Sequence, residues 1–252
     1  MIEAQNLPPL SLVLLVLSIA FLYASVGFGG ASGYLAAMSL FTISPEMMAS
    51  TALALNILVS AIALVAYYRA RHFVPELLWP FLITSIPAAF IGGYLRVEAD
   101  VYFALLYITL TYIAIRMLFF RENPAAAALR LTRTAALVSG AVIGLLSGIL
   151  GIGGGIFLSP LIVITGWGTS KQAAASAAAF ILVNSLSSVL GRLLGDNIEL
   201  GLLGLSLLPV GFLGALGGSQ LGARYLSGSN LRRLLGVILL IAVGRYWLSL
   251  LQ

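Results

Sequence analysis

The chain has 252 residues, of which 61% are hydrophobic and 8% are charged. A soluble globular domain carries about 25% charged residues, so this composition excludes one and indicates a polytopic membrane protein. The formal charge of +5 comes from scattered basic residues. Such scatter is typical of membrane-protein loops, and we expect no nucleic-acid partner. The absence of cysteine excludes disulfides and thiolate metal sites.

Apolar runs predict ten helical segments. Those of the first half are 10–26, 31–43, 47–68, 75–95 and 100–120, and those of the second half are 134–150, 154–166, 171–191, 200–223 and 231–250. A helix needs about 20 residues to cross the hydrocarbon core of a bilayer. The third, fourth and fifth segments of each half are long enough, whereas the second is too short and follows the first through glycines.

Three short motifs recur in the same order in both halves. GFGG at 27–30 matches GIGG at 151–154, SPEMMAS at 44–50 matches SKQAAAS at 170–176, and PAAFIGG at 87–93 resembles PVGFLGALGG at 209–218. Repeats of this kind are typical of secondary transporters. We therefore expect one integral membrane unit with a first repeat over residues 1–122, a cytoplasmic linker over 123–133 and a second repeat over 134–252.

Basic residues orient the two halves. They follow the third segment, surround the junction and precede the last segment, at Arg69, Arg71, His72, Arg116, Arg121, Arg130, Arg133, Arg224, Arg232 and Arg233. These regions should be cytoplasmic, whereas the acidic or balanced stretches 96–100 and 191–200 and both termini should lie outside. The predicted fold class is an all-α polytopic membrane protein with two inverted repeats. Each repeat would have a glycine-broken helix pair plus three transmembrane helices, or about eight to ten membrane segments in all.

The glycine turns suggest an anion site. Each broken pair is either two half-helices that dip to mid-membrane or a full helix followed by a short one. Irregular backbone at that depth is tolerated where it is buried in protein or lines a cavity. Glycine lets backbone N–H groups approach a ligand, and the start of a helix favours negative charge. Two other glycine sets are expected to mediate helix packing, at Gly140, Gly144 and Gly148 and at Gly214, Gly218 and Gly222.

These residues also carry a family resemblance. The stretch at 144–179 reads GLLSGILGIGGGIFLSPLIVITGWGTSKQAAASAAA, and a weaker version at 27–55 reads GFGGASGYLAAMSLFTISPEMMASTALAL. Both resemble the sulfite exporter TauE/SafE family, which transports sulfur-containing anions. The LGIGGG element with Pro160 is the most specific part of the match. The resemblance implies an anion transporter in the plasma (inner) membrane of a prokaryote.

A sulfite or sulfonate group presents oxygen acceptors, so its site needs hydrogen-bond donors. The candidate substrate-binding residues are Gly27, Gly29, Gly30, Ser32, Ser50, Thr51, Asn56, Gly151, Gly153, Gly154, Gly155, Ser176 and Asn184. For Ser50 and Ser176 a hydrogen bond within or between helices is an equal alternative. Arg116 and Arg245 are expected to snorkel to the membrane interfaces, and Arg192 to anchor a loop. Lys171 at a helix start is a candidate for attracting an anion, with a surface charge as the alternative.

The predicted function is secondary transport of sulfite or an organosulfonate by alternating access, with the anion held at glycine-rich helix N-termini near mid-membrane. The alternative is an anion channel, or a permease for another small anion such as sulfate or a carboxylate. An intramembrane enzyme is disfavoured because the spans offer no catalytic set. We expect a small anion and the lipid bilayer as partners, and no cofactor or metal. The coupling ion and a homo-oligomeric state stay open.

Overall fold

The computed structural model describes residues 7–41, 43–119, 132–225, 235–237, 239–240 and 243–244. Within these residues the chain is all-helical. The helices in chain order are α1 (Leu10–Ser25), α2 (Ala31–Ser39), α3 (Pro45–Arg69), α4 (Trp79–Tyr94), α5 (Ala99–Phe119), α6 (Arg133–Leu150), α7 (Gly155–Ile164), α8 (Ser170–Leu194) and α9 (Gly201–Arg224), with a 3₁₀ turn at Pro75–Leu77.

Within the described ranges, five helices are long and apolar enough to cross a membrane, namely α3, α5, α6, α8 and α9. Their outward side chains include well-exposed apolar residues such as Ile108 and Val138, which suits contact with lipid. The expected fourth segment over 75–95 is wrong in length, because α4 has only 16 residues. The two prolines at 75 and 80 account for the difference. Each begins a new helical element, since proline fits the first turn of a helix better than its interior.

Two 25-residue helices, α3 and α8, start with equivalent caps. The Ser44 side chain accepts a hydrogen bond from the Met47 N–H group, and Pro45 opens the helix. The Thr169 side chain accepts one from the Gln172 N–H group, and the Gln172 side chain accepts one from the Thr169 N–H group, which forms a capping box. Both matched motifs therefore lie at a capped helix start, but Ser44 is itself the cap whereas Ser170 follows the cap of α8, Thr169.

Each glycine turn joins a long helix to a short one. Helices α1 and α6 have 16 and 18 residues, whereas α2 and α7 have 9 and 10. In each pair the first helix is the longer one, and α6 is long enough to cross a membrane whereas α1 is not, so the lengths alone do not choose between the two interpretations. Both turns need left-handed backbone, which glycine adopts without steric cost, because the residues that cap α2 and α7, Gly30 and Gly154, have φ of 98° and 78°.

Helices of one half pack against helices of the other. Helix α1 lies along α9, α6 lies along α4, and α3 lies against α8 at the centre. The glycines predicted to mediate packing lie at these contacts, which confirms that prediction. A methyl group on Gly140, Gly144 or Gly148 would collide with the carbonyl oxygens of Phe81, Ser85 and Ala89 respectively. On Gly214, Gly218 or Gly222 it would collide with those of Leu17, Phe21 and Ser25.

Several predictions fall wholly or partly outside the described residues. They are the linker, apart from residues 132–133, and the basic residues Arg121, Arg130, Arg232, Arg233 and Arg245. The tenth segment, 231–250, is described only in part. Its described residues are helical, and Leu235, Leu239 and Val243 are buried at the spacing of one helix face.

Candidate functional site

The two glycine turns meet at one point between α3 and α8. A methyl group built on Gly29 or on Gly153 would lie 2.9 or 2.8 Å from the Ile181 Cγ2 atom. The same two methyl groups would also contact the Asn56 side chain, from opposite ends of its amide. The turns of the two halves therefore contact the same two side chains, those of Asn56 and Ile181.

This point lies halfway along both central helices. Asn56 is 11 residues from the start of α3 and 13 from its end, and Ile181 has the same position in α8. At 1.5 Å per residue, each end of the helix is about 17 to 20 Å away. The turns therefore lie level with the middle of two helices that are each long and apolar enough to cross a membrane.

Asn56 links the two turns by hydrogen bonds. Its Oδ1 atom accepts from the Ala31 N–H group at 3.2 Å, at the start of α2. Its Nδ2 atom donates to the Gly151 carbonyl at 3.5 Å, just after α6. The side chain is fully buried. One amide therefore satisfies an N–H group at a helix start in one half and a carbonyl group at a helix end in the other.

Several donors around the turns have no partner among the described residues. The Tyr34 hydroxyl lies 2.7 Å from a methyl group built on Gly30, and the Ser185 hydroxyl lies 3.1 Å from one built on Gly153. Both side chains are fully buried, and neither hydroxyl has a hydrogen-bond partner in the described part of the chain. A buried polar group without a partner costs about 1 to 3 kcal/mol, so such groups cluster where a ligand can satisfy them.

Backbone N–H groups add to this set of donors. Within the described chain, the N–H groups of Gly29, Gly30, Gly153 and Gly154 donate none of the observed hydrogen bonds. These groups lie at the starts of α2 and α7, where the helix dipole is positive. Together with the hydroxyls they form a donor-rich region, which suits a ligand that can only accept hydrogen bonds.

The other glycines predicted for the site lie against the central helices. A methyl group on Gly27 would lie 2.6 Å from the Ala174 carbonyl oxygen, and one on Gly151 would lie 2.7 Å from the Ala49 carbonyl oxygen. One on Gly155 would lie 2.6 Å from the Ala177 carbonyl oxygen. These three glycines allow close backbone packing at both turns.

The predicted polar side chains divide into two groups. Asn56 and the glycines lie at the turns, while the Ser32 hydroxyl pairs with the Tyr23 hydroxyl at 2.9 Å inside the first half. The Ser50 hydroxyl accepts from the Glu199 N–H group at 3.0 Å, and the Asn184 amide donates to Phe180 of its own helix at 3.0 Å. Thr51 and Ser176 are fully buried, and their hydroxyls have no partner among the described residues.

Tyr34 and Ser185 were not among the predicted site residues. A signal for Tyr34 exists, because helical side chains point toward the helix N-terminus and residue 34 lies one turn after Gly30. Ser185 likewise follows Ile181 by four residues, on the same face of α8. The face of α8 that meets the turn is set by tertiary packing, which the sequence pattern does not specify.

Charged side chains near the central helices bind helix ends. Arg192 is 4% exposed, and its guanidinium donates to the Ile149 carbonyl at 2.8 Å and to the Gly148 carbonyl at 3.3 Å. Lys171 donates to the Gly222 carbonyl near the end of α9. Arg116 is half-buried and lines a pocket with Phe28, between α5 and α7.

The central helices run in opposite directions. The Lys171 ammonium, at the start of α8, lies 5.9 Å from the centre of the Tyr67 ring, near the end of α3. Arg192, near the end of α8, lines a pocket with Glu46 at the start of α3. The matched helices α3 and α8 are therefore antiparallel.

The helical fold, its membrane-length helices and the buried turns define an integral, multi-pass membrane protein. Residues 12–246 match the family model described as Sulfite exporter TauE/SafE. The chain is 39% identical over 228 residues to the probable membrane transporter protein y4hK of Sinorhizobium fredii. That match covers 89% of this chain and 92% of the relative. No solved structure matches.

The chain belongs to the sulfite exporter TauE/SafE family of membrane transporters. This membership confirms the resemblance found in the two glycine motifs. The location in a prokaryotic inner membrane agrees with the bacterial relative.

Proposed function

We propose that the protein is a secondary transporter that moves sulfite or an organosulfonate by alternating access. The anion would bind at the two glycine turns, between the starts of α2 and α7. The observation that carries this proposal is the convergence of turns from both halves on Asn56 at mid-depth, surrounded by donors that lack partners among the described residues.

The donor set suits this substrate class. Sulfite and sulfonates are compact and present only oxygen acceptors to N–H and O–H groups. Buried donors strengthen such contacts, since water does not compete for the oxygens. In the described conformation the Asn56 amide lies between the turns. We infer that an entering anion displaces some of the hydrogen bonds of this amide. The anion then accepts hydrogen bonds from the N–H groups of the two turns.

The repeats would supply the alternating access. We propose that the first repeat over 1–122 and the second over 134–252, joined by the linker over 123–133, are inverted copies. The antiparallel directions of α3 and α8 and the reciprocal pairing of α1 with α9 and α6 with α4 support this arrangement. Rocking of one half against the other would expose the turns first to one side and then to the other.

The function can be tested with purified protein in liposomes. We expect saturable uptake of labelled sulfite or taurine, and counterflow when the liposomes are preloaded with unlabelled substrate. An ohmic single-channel current without counterflow would exclude the carrier and support the channel. Counterflow with a carboxylate but with none of sulfite, taurine and sulfoacetate would exclude the substrate class and leave the carrier.

Asn56→Ala tests the site itself. We expect uptake to fall by about tenfold or more, because the variant removes an amide donor next to the anion, and a hydrogen bond to a charged group is worth about 1.5 to 3 kcal/mol. Asn197→Ala is the matched control, since the buried Asn197 amide donates to the Gly93 carbonyl at 2.9 Å. Both variants should be compared at equal amounts of folded protein. Equal uptake by the Asn56 variant and the native protein would place the anion elsewhere.

A further inference from the structure

A long furrow runs between α3 and α9 on the outer surface of the helix bundle. It contains two cavities, of about 410 and 460 Å³, which follow one another along the same pair of helices. On α3 its lining residues are spaced at three and four positions and so form a single face. They are Ala54, Ile57, Leu58, Ala61, Ile62, Val65, Ala66 and Arg69.

The furrow is apolar along its length and basic at one end. Its walls include exposed Val65, Leu205 and Phe212, at 49%, 53% and 42% exposure. Arg69 and Arg224, the last residues of α3 and α9, line the cavity at the far end. Among the described residues neither arginine forms an ion pair. A ligand that fits this surface combines a long apolar part with an anionic group.

Polar groups near the arginines complete the basic end. Gln220 lines the same cavity. Ser219 does too, and its hydroxyl is buried without a partner in the described part of the chain. Two guanidinium groups, an amide and a hydroxyl supply donors to the oxygens of a phosphate group.

The furrow is not a general consequence of the fold. The corresponding contact between α4 and α8 is closed, because a methyl group on Gly195 would lie 2.6 Å from the Tyr94 carbonyl oxygen. One on Gly191 would collide with the Phe90 carbonyl oxygen. The matched pair therefore leaves no room for a ligand at the end that corresponds to Arg69 and Arg224.

We propose that an anionic phospholipid binds in this furrow, with its phosphate at Arg69 and Arg224 and an acyl chain along the apolar face. From Ala54 to Arg69 the furrow extends about 22 Å along α3, which exceeds the roughly 15 Å of one leaflet's hydrocarbon. Basic pockets between membrane helices bind anionic head groups in this way. The proposal is independent of the transported substrate and of the glycine turns.

The test measures lipid binding to the detergent-purified full-length protein. Native mass spectrometry detects the bound lipid, and the melting temperature reports its effect on stability. Phosphatidylglycerol should bind and raise the melting temperature, and phosphatidylcholine with the same acyl chains should bind about tenfold more weakly. The double variant Arg69→Gln/Arg224→Gln should lose this preference, since juxtamembrane arginines attract anionic lipid. Arg133→Gln is the matched control, an exposed arginine at the start of α6 that should leave the preference unchanged.

Two further samples separate the alternatives. Ala61→Phe narrows the apolar part and leaves both arginines, so it should weaken the binding of both lipids. Arg69→Lys/Arg224→Lys keeps the charge and should retain most of the preference. Equal binding of the two lipids to the native protein, or a preserved preference in the glutamine variant, would overturn the proposal. Displacement of phosphatidylglycerol by soluble glycerol phosphate at similar concentration would assign the basic end to a soluble anion instead.

Discussion

At the scale of single residues, the end of α6 shows how the carbonyl groups of a buried helix end are satisfied within the protein. Four successive carbonyl groups accept hydrogen bonds from side chains of other elements. Arg192 donates to Gly148 and Ile149, the Tyr102 hydroxyl donates to Leu150 at 3.2 Å, and Asn56 donates to Gly151. Lipid offers no hydrogen-bond donors. These side chains therefore donate the hydrogen bonds that water would donate to the last carbonyl groups of a helix in a soluble protein.

Replacing Arg192 should destabilise this helix end. We expect Arg192→Met to lower the melting temperature in detergent by an amount corresponding to about 2 kcal/mol, because two carbonyl groups lose a charged donor. Arg192→Lys should be intermediate, since an ammonium reaches fewer acceptors in that geometry. Arg96→Met is the control, because Arg96 also donates to a carbonyl, that of Gly195, but at an exposed site. A melting temperature equal to that of the native protein would show that the carbonyl groups find other donors.

At the scale of helices, the sequence predicted most boundaries and little of the packing. The turns at 27–30 and 151–154 and the short helices after them follow from glycine and from segment length, which are local properties. The partner of each helix is a tertiary property. Gly140 and Gly218 were correctly predicted to mediate packing, but nothing in their spacing identifies α4 or α1 as the helix they contact.

The same limit applied to the candidate site. The position of Asn56 in the middle of α3 could be anticipated from the sequence. The contact of Ser50 with residue 199 could not, because the rotation of α3 about its axis is fixed by α8 and α9. Sequence spacing gives the faces of a helix, and packing decides which face meets the turn.

Two adjacent glycines of α9 provide a test of helix packing. A methyl group on Gly218 would collide with the Phe21 carbonyl oxygen, whereas one on Gly217 would lie 3.4 Å from the Phe21 ring, an ordinary contact. We expect Gly218→Ala to lower the melting temperature markedly, because overpacking should reduce the free energy of unfolding by about 1 to 3 kcal/mol. Gly217→Ala should be neutral or slightly stabilising, since alanine favours helix.

In both variants the substrate affinity of the folded protein should stay near the native value, because Gly217 and Gly218 contact Phe21, whereas α2 packs against Ile19 and Tyr23 of α1. Loss of binding by folded Gly218→Ala protein would show that this contact also shapes the site.

At the scale of the whole molecule, the inverted-repeat hypothesis makes a definite statement about topology. The loop after α3 and the loop after α8 hold equivalent places in the two halves, and the antiparallel central helices put them at opposite ends of the molecule. The first loop carries Arg71 and the second carries Asp196. The positive-inside rule therefore assigns the first to the cytoplasm and the second to the outside.

Cysteine labelling tests this topology, because the native chain contains no cysteine to interfere. Glu76→Cys marks the loop after α3 and Ile198→Cys marks the loop after α8, and both positions are exposed. An impermeant thiol reagent added to intact cells should label residue 198 and leave residue 76 unlabelled, while a permeant reagent should label both. Labelling of both from outside would contradict the antiparallel arrangement of the halves. Labelling of residue 76 alone would keep the inverted repeat and reverse its orientation, so the basic end of the α3 and α9 furrow would face outward.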